Sequence, residues 1–236
     1  MNHIIRMKTQ GLFTIVLLSL VGLKAQDTAA QMVSDSLPLI SLEEVQLIGI
    51  RANDQTPVTF TNITKKELAP RNLGQDIPIL LNYLPAVVTT SDAGAGIGYT
   101  GIRVRGTDAT RVNVTINGIP YNDAESQGTF WVNLPDFASS LDEIQLQRGV
   151  GTSTNGSAAF GASLNLETTN LVEKPFAEIA SSIGSFNSSK NTVQFSTGLL
   201  NDRFTFSGRL SQIQSDGYVD RASSNLKSYF FQGAYQ

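Results

Sequence analysis

Apolar and polar positions change period several times along the chain, and each change predicts an element. Residues 11–23 (GLFTIVLLSLVGL) are almost continuously apolar and follow Arg6 and Lys8. A membrane-spanning helix needs about 20 apolar residues, so this run instead fits the core of a secretory leader that ends near Ala25. Residues 26–40 are small and polar, without period, as in a linker. Residues 41–52 then alternate: Val45, Leu47 and Gly49 interleave with Gln46 and Ile48, behind the acids Glu43 and Glu44. This predicts a short extended segment. Residues 57–61 (PVTFT) repeat the strand pattern.

Two helices come next. Thr64-Lys65-Lys66-Glu67 has capping-box spacing and opens a short one. Ile77, Leu80, Leu81 and Leu84 fall on one helical face, with Pro78 in the first turn and Pro85 as the stop. From residue 86 the period becomes two. AVVTT, IRVR, VNVTI, EIQLQ and SLNLE are short strands, and Asn117-Gly118 is a tight-turn signal. Polar or glycine-rich loops at 91–101 and 121–131 interrupt them. After residue 170 the alternating segments lengthen to about ten residues, near the ~9–11 that a tilted strand needs to cross a bilayer. Phe204, Phe206 and Leu210 face opposite to Arg203, Thr205 and Arg209, while Tyr229, Phe231 and Tyr235 share one face. A transmembrane β-strand has this pattern, and so does a strand of a soluble antiparallel sheet. The secretory leader and the linker tilt the reading toward a barrel. The predicted organisation is leader 1–25, linker 26–56, α+β domain 57–170 and barrel strands 171–236.

Composition narrows the chemistry. The chain of 236 residues has no cysteine, and its one histidine is His3, inside the leader. Disulfides, thiol nucleophiles, histidine-based triads and histidine–metal sites are thereby excluded from a processed chain. Loss of residues 1–25 leaves 14 basic against 20 acidic residues, a net charge of −6, which argues against a nucleic-acid partner.

Residues 101–168 carry the most specific signals: the IRVRG strand, the ING turn and the RGVGTSTNG…FGASLN tail. This combination closely resembles the plug domain of TonB-dependent outer-membrane receptors, and the resemblance extends over about residues 41–236. It implies an α+β plug domain with a small mixed sheet, followed by antiparallel strands of a transmembrane β-barrel. It implies energy-coupled uptake of a scarce, bulky ligand such as a ferric siderophore, with TonB and outer-membrane lipid as partners. No enzyme activity, cofactor or protein-bound metal is implied.

The resemblance also implies site residues. Leu42, Glu43, Glu44, Val45, Gln46 and Leu47 look like the TonB box, an extended segment able to add to a sheet edge on its partner. Arg105 and Arg148, each just before a glycine, are expected to pair with carboxylates on the barrel's inner wall. Asp92, Tyr99, Tyr121, Asp123, Glu125 and Trp131 are expected on loops that face the ligand, with Phe130 and Trp131 equally suited to the plug core.

Other signals carry less. Gly96-Ile97-Gly98-Tyr99-Thr100-Gly101 matches a dinucleotide fingerprint literally, but a strand follows where that site needs a helix. Asp123 and Glu125 lack the architecture of a glycosidase pair. The residues after 171 supply about four spanning strands, whereas the smallest closed barrels have eight, so the barrel is expected to be incomplete. The alternative is a secreted ligand-binding or adhesive β protein that transports nothing.

Overall fold

The computed structural model describes residues 51–151, 160–168 and 171–235, all within one compact unit, Val45–Gln236. The leader and the 42–47 segment lie outside the described residues. Among the described residues eleven strands form three sheets. They are β1 (Thr59–Thr64), β2 (Val87–Ser91), β3 (Thr100–Val104), β4 (Val112–Ile116), β5 (Ile119–Pro120), β6 (Leu141–Arg148), β7 (Ala162–Thr168), β8 (Phe176–Gly184), β9 (Ser188–Ser196), β10 (Phe204–Ser215) and β11 (Ser224–Tyr235).

The first sheet has the order β1-β6-β7-β4-β5 and is mixed: β4 and β7 run parallel, and its other pairs run antiparallel. Asn117 and Gly118, both at positive φ, make the turn between β4 and β5, as two-residue hairpins require. Ile144 and Leu146 of β6 and Leu164 and Leu166 of β7 put their side chains into one core. Val112 and Val114 of β4 join them. Each such burial contributes roughly 1.5–3 kcal/mol, less the entropy of ordering the side chain. Gly161 lets β7 enter close to its neighbour: its N–H donates to the Arg111 carbonyl at 3.0 Å, and a Cβ there would lie 2.9 Å from that oxygen. β2 and β3 form a separate ribbon that ends in the 91–101 loop.

Both helices are single turns, α1 (Lys65–Leu68) and α2 (Ile77–Leu80). Thr64 caps α1 as expected, its N–H and hydroxyl both donating to Glu67 at 2.8 and 2.9 Å. The helix expected to run to residue 84 stops sooner. Ile77, Leu80, Leu81 and Leu84 are all buried, but only the first two lie in regular helix; the rest follow in turns. Burial of the face, rather than helix length, is what the apolar spacing specified.

The last sheet, β11-β10-β9-β8, is wholly antiparallel and packs against the segment 135–140 that precedes β6. Its polarity is inverted relative to a water-soluble sheet. Thr205, Arg209 and Ser211 of β10 and Lys190, Thr192 and Ser196 of β9 are buried on the inner face. The outer face carries Ile179, Val193, Leu210 and Tyr229 in one cross-strand row, all exposed. A parallel row holds Ala177, Phe195, Gly208 and Phe231. Phe206 stacks on Phe231 with centroids 6.1 Å apart. The expected separation of Phe204, Phe206 and Leu210 from Thr205 and Arg209 is present, whereas Arg203 lies exposed in the turn before β10 rather than on the inner face. Among the described residues no helix is long and apolar enough to cross a membrane.

Candidate functional site

The strongest electrostatic feature joins the two parts of the fold. Asp136 lies between the short 3-10 turns Trp131–Asn133 and Phe137–Ser140, in the left-handed region at φ 54°. Its carboxylate is fully buried and meets two cations of the outer sheet: Lys190 Nζ at 2.6 Å and Arg209 Nη1 at 3.4 Å. The hydroxyls of Thr192 and Ser211 donate to Oδ2 at 2.6 and 2.7 Å, and Ser139 donates to Oδ1 at 2.5 Å. Burial alone would raise this carboxyl's pKa. The Lys190 charge and these hydrogen bonds outweigh it and hold the pKa below the ordinary carboxylate value. The backbone helps as well: Pro135 O accepts from Arg209 Nη1 and from Ser228 Oγ. Phe137 packs edge-on to Phe230, with centroids 5.8 Å apart.

A second polar cluster fastens the entry of the chain. Arg51 bridges Glu143 at 2.5 Å and also pairs with Glu167. The Gln145 side chain accepts from the Ala52 N–H at 2.8 Å and donates to its carbonyl at 2.9 Å, so the side chain acts as a strand neighbour. Gln145 and Gln147 alternate with the apolar Ile144 and Leu146 along β6, a pattern that in a one-sided sheet would put them in water. They are buried instead, because the 51–52 segment covers Gln145 and the Gln147 amide donates to Gln145 Oε1 at 2.8 Å.

The two singled-out arginines lie side by side. Arg148 is buried, with Nε on the Pro85 carbonyl at 3.1 Å and Nη2 without a hydrogen-bond partner. Arg105, at φ 54°, is exposed and reaches over Gly149. Burial, and secondarily the Arg105 charge, lower the Arg148 pKa.

The loop residues divide. Tyr99 and Asp92 are both exposed at the base of the 91–101 loop, where the Asp92 N–H donates to the Tyr99 carbonyl at 3.0 Å. Asp123 spends its carboxylate inside its own loop, accepting from the Ser126 N–H at 2.7 Å, which lowers its pKa; Glu125 is exposed. Tyr121 packs half-buried against the core. Of its two expected placements Trp131 takes the plug core rather than a ligand-facing surface: it is 3% exposed and starts the 3-10 turn Trp131–Asn133. Phe130 stays exposed, and with Trp131, Ile102 and Val114 it lines a cavity of about 230 Å³. Among the described residues no cluster of His, Cys, Asp or Glu could hold a metal ion.

Residues 52–163 match the family model described as TonB-dependent Receptor Plug Domain. These residues are a plug domain of the TonB-dependent receptor type. Its family is one of receptors rather than of enzymes. The pyoverdine outer-membrane receptor FpvA of Pseudomonas aeruginosa is similar in fold (TM-score 0.62, 15% identity, 77% of this chain and 26% of that one). The ferric yersiniabactin uptake receptor FyuA of Yersinia pestis is also similar (TM-score 0.55, 16% identity, 75% and 28%). So is the siderophore receptor PirA of Acinetobacter baumannii (TM-score 0.52, 22% identity, 66% and 24%). The chain thus spans about a quarter of the length of these receptors. A comparison with curated proteins gave no match. The plug accounts for the mixed sheet, and the antiparallel β8–β11 sheet follows it.

Sequence reasoning missed Asp136. The available signal was indirect: Lys190 and Arg209 sit on strand faces opposite the apolar one, and a buried cation requires an acid from whatever covers it.

Proposed function

We propose that the chain is the N-terminal part of an outer-membrane receptor of a Gram-negative bacterium that uses TonB to import a scarce, bulky ligand of the ferric siderophore kind. The observation that carries this reading is the inside-out sheet docked on a plug. Its outer face suits lipid hydrocarbon, and its inner face hydrogen-bonds to the plug. A secreted adhesive protein would have to hold the apolar outer rows in water. The named relatives of similar fold include receptors for pyoverdine and ferric yersiniabactin, which supports the ligand class.

In this reading the ligand binds over Tyr99, Asp92, Tyr121, Asp123 and Glu125, and the 42–47 segment becomes available on the periplasmic side. TonB adds that segment to its own sheet edge and pulls. Main-chain hydrogen bonds carry the load, and the acids Glu43 and Glu44 favour a basic partner surface. The first attachment to feel the pull is the Arg51 and Ala52 fastening to Glu143, Glu167 and Gln145. Behind it lies β1, an edge strand that can leave without disturbing the pairing of β6, β7 and β4. Arg105 and Arg148 pair with carboxylates of the wall beyond β11. Two adjacent guanidiniums, one of them with a free buried donor, require such partners.

A proline at position 45 removes one backbone donor and fixes φ within the box. In the complete receptor, Val45→Pro is expected to abolish TonB-dependent uptake and capture by the TonB C-terminal domain while leaving ligand affinity unchanged. Unchanged uptake in that variant rejects the role of the box.

A further inference from the structure

The 91–101 loop is gripped from both sides. On the plug side, Asp76 caps α2, is buried, and accepts at Oδ2 from the Thr100 hydroxyl at 2.8 Å. The Asp76 N–H donates to the Gly96 carbonyl at 2.9 Å, and the Gly98 amide donates to the carboxylate. The other oxygen, Oδ1, is buried without any hydrogen-bond partner. On the wall side, the loop between β10 and β11 turns onto the same segment. The N–H groups of Tyr218 and Val219 both donate to the Ala93 carbonyl, at 2.8 and 3.2 Å. The Tyr218 side chain lies so close over Gly94 that a Cβ there would come within 2.9 Å of it. Phe186, in the turn between β8 and β9, meets the Tyr218 ring edge-on at 5.5 Å.

We propose that these contacts form a proton-sensitive clasp on the 91–101 loop: a neutral Asp76 holds the loop to the plug, Tyr218 and Val219 hold it to the wall, and ionisation of Asp76 releases the plug side. A charged carboxylate whose second oxygen has no donor is costly in a dry site, and a proton on Oδ1 removes that cost. Burial raises the pKa to about 7, against the opposing Thr100 and Gly98 hydrogen bonds. The ionisable groups on the facing segments are Asp92 and Tyr99 in the loop, Arg103 in β3, and Asp216, Tyr218, Asp220 and Arg221 in the wall loop; α2 carries none. The folded protein therefore keeps this proton up to about pH 7, whereas the unfolded chain releases it near the ordinary aspartate value of 3.8. The contribution of Asp76 to stability consequently falls as pH rises across that window.

This chain has no cysteine, so once any cysteine elsewhere in the receptor is replaced by serine, a nitroxide label at Tyr99→Cys reports on this loop alone. Electron paramagnetic resonance of the complete receptor in lipid vesicles, from pH 5.5 to 8.5, is expected to show label mobility rising through one transition near pH 7. Asp76→Asn is expected to abolish the transition and leave the label restrained throughout. Thr100→Val, which removes a hydrogen bond that favours the ionised form, is expected to move the midpoint to higher pH. Tyr218→Ala is expected to raise mobility at every pH while preserving the transition. A flat profile in the parent, an unchanged transition in Asp76→Asn, or an unmoved midpoint in Thr100→Val overturns the clasp. The measurement needs neither ligand nor TonB, so its failure leaves the transport reading standing, and a failed uptake assay leaves the clasp standing.

Discussion

Replacing Asp136 with asparagine is expected to loosen the first wall strands from the plug more than any other single change at that interface. The substitution keeps the size of the side chain and removes its charge, leaving Lys190 and Arg209 buried against each other without an anion. Breaking one side of a buried ion pair costs about 3–5 kcal/mol. Urea unfolding of the complete receptor in detergent measures the loss, and hydrogen exchange over residues 135–140 locates it. A compensating variant separates charge from packing. Asp136→Asn combined with Lys190→Met and Arg209→Met removes all three charges and is expected to recover most of the stability, because apolar side chains of similar volume often match a buried ion cluster. Failure of the triple variant to recover would mean that hydrogen bonds from Thr192, Ser211 and Ser139, rather than charge, hold the interface. The lowered pKa of Asp136 adds a pH signature: its contribution is present above the unfolded carboxyl value and is lost only as pH falls through the lower folded value.

An arginine in place of Leu210 is expected to give the second-largest effect, and one whose sign separates two environments. Leu210 sits in the outer row with Val193 and Tyr229 and is about half exposed to the surroundings. Were those surroundings water, arginine would cost almost nothing. In the middle of a bilayer it costs about 2–4 kcal/mol, falling to about 0–1 near the interfaces. Gln214 lies on the same face of β10 near its end, so Gln214→Arg is the depth control. Guanidinium unfolding of the receptor in lipid vesicles is expected to show a clear loss for Leu210→Arg and little for Gln214→Arg. Equal, negligible effects would remove the lipid-facing assignment.

Local periodicity carried most of the strand positions. VNVTI, EIQLQ and SLNLE each lie in a strand because alternation and turn residues act within a few positions. Which strands pair was not legible: the parallel β4–β7 contact joins segments fifty residues apart and leaves no local mark. Burial of polar side chains was equally hidden. Gln145 has the alternation of a solvent-facing residue, yet it is covered by a segment ninety-three positions away. The site showed the same division. Tyr99 and Glu125 are exposed, as loop chemistry suggests, whereas Trp131 went to the core and Asp136, in an unremarkable PDF stretch, became the hub. A residue whose partners all lie on another part of the fold has no signature in its own neighbourhood.

The Asp136 contacts also bear on the order of assembly. They reach Thr192 and Ser211 across sequence separations of 56 and 75 residues, short beside the receptors of similar fold, of which this chain spans about a quarter. Closing a modest loop costs little entropy, so such contacts can form while later segments are still being delivered. The stopper would then serve as a mandrel on which the first staves of the cylinder are laid, rather than a cork pushed in after the cylinder is complete.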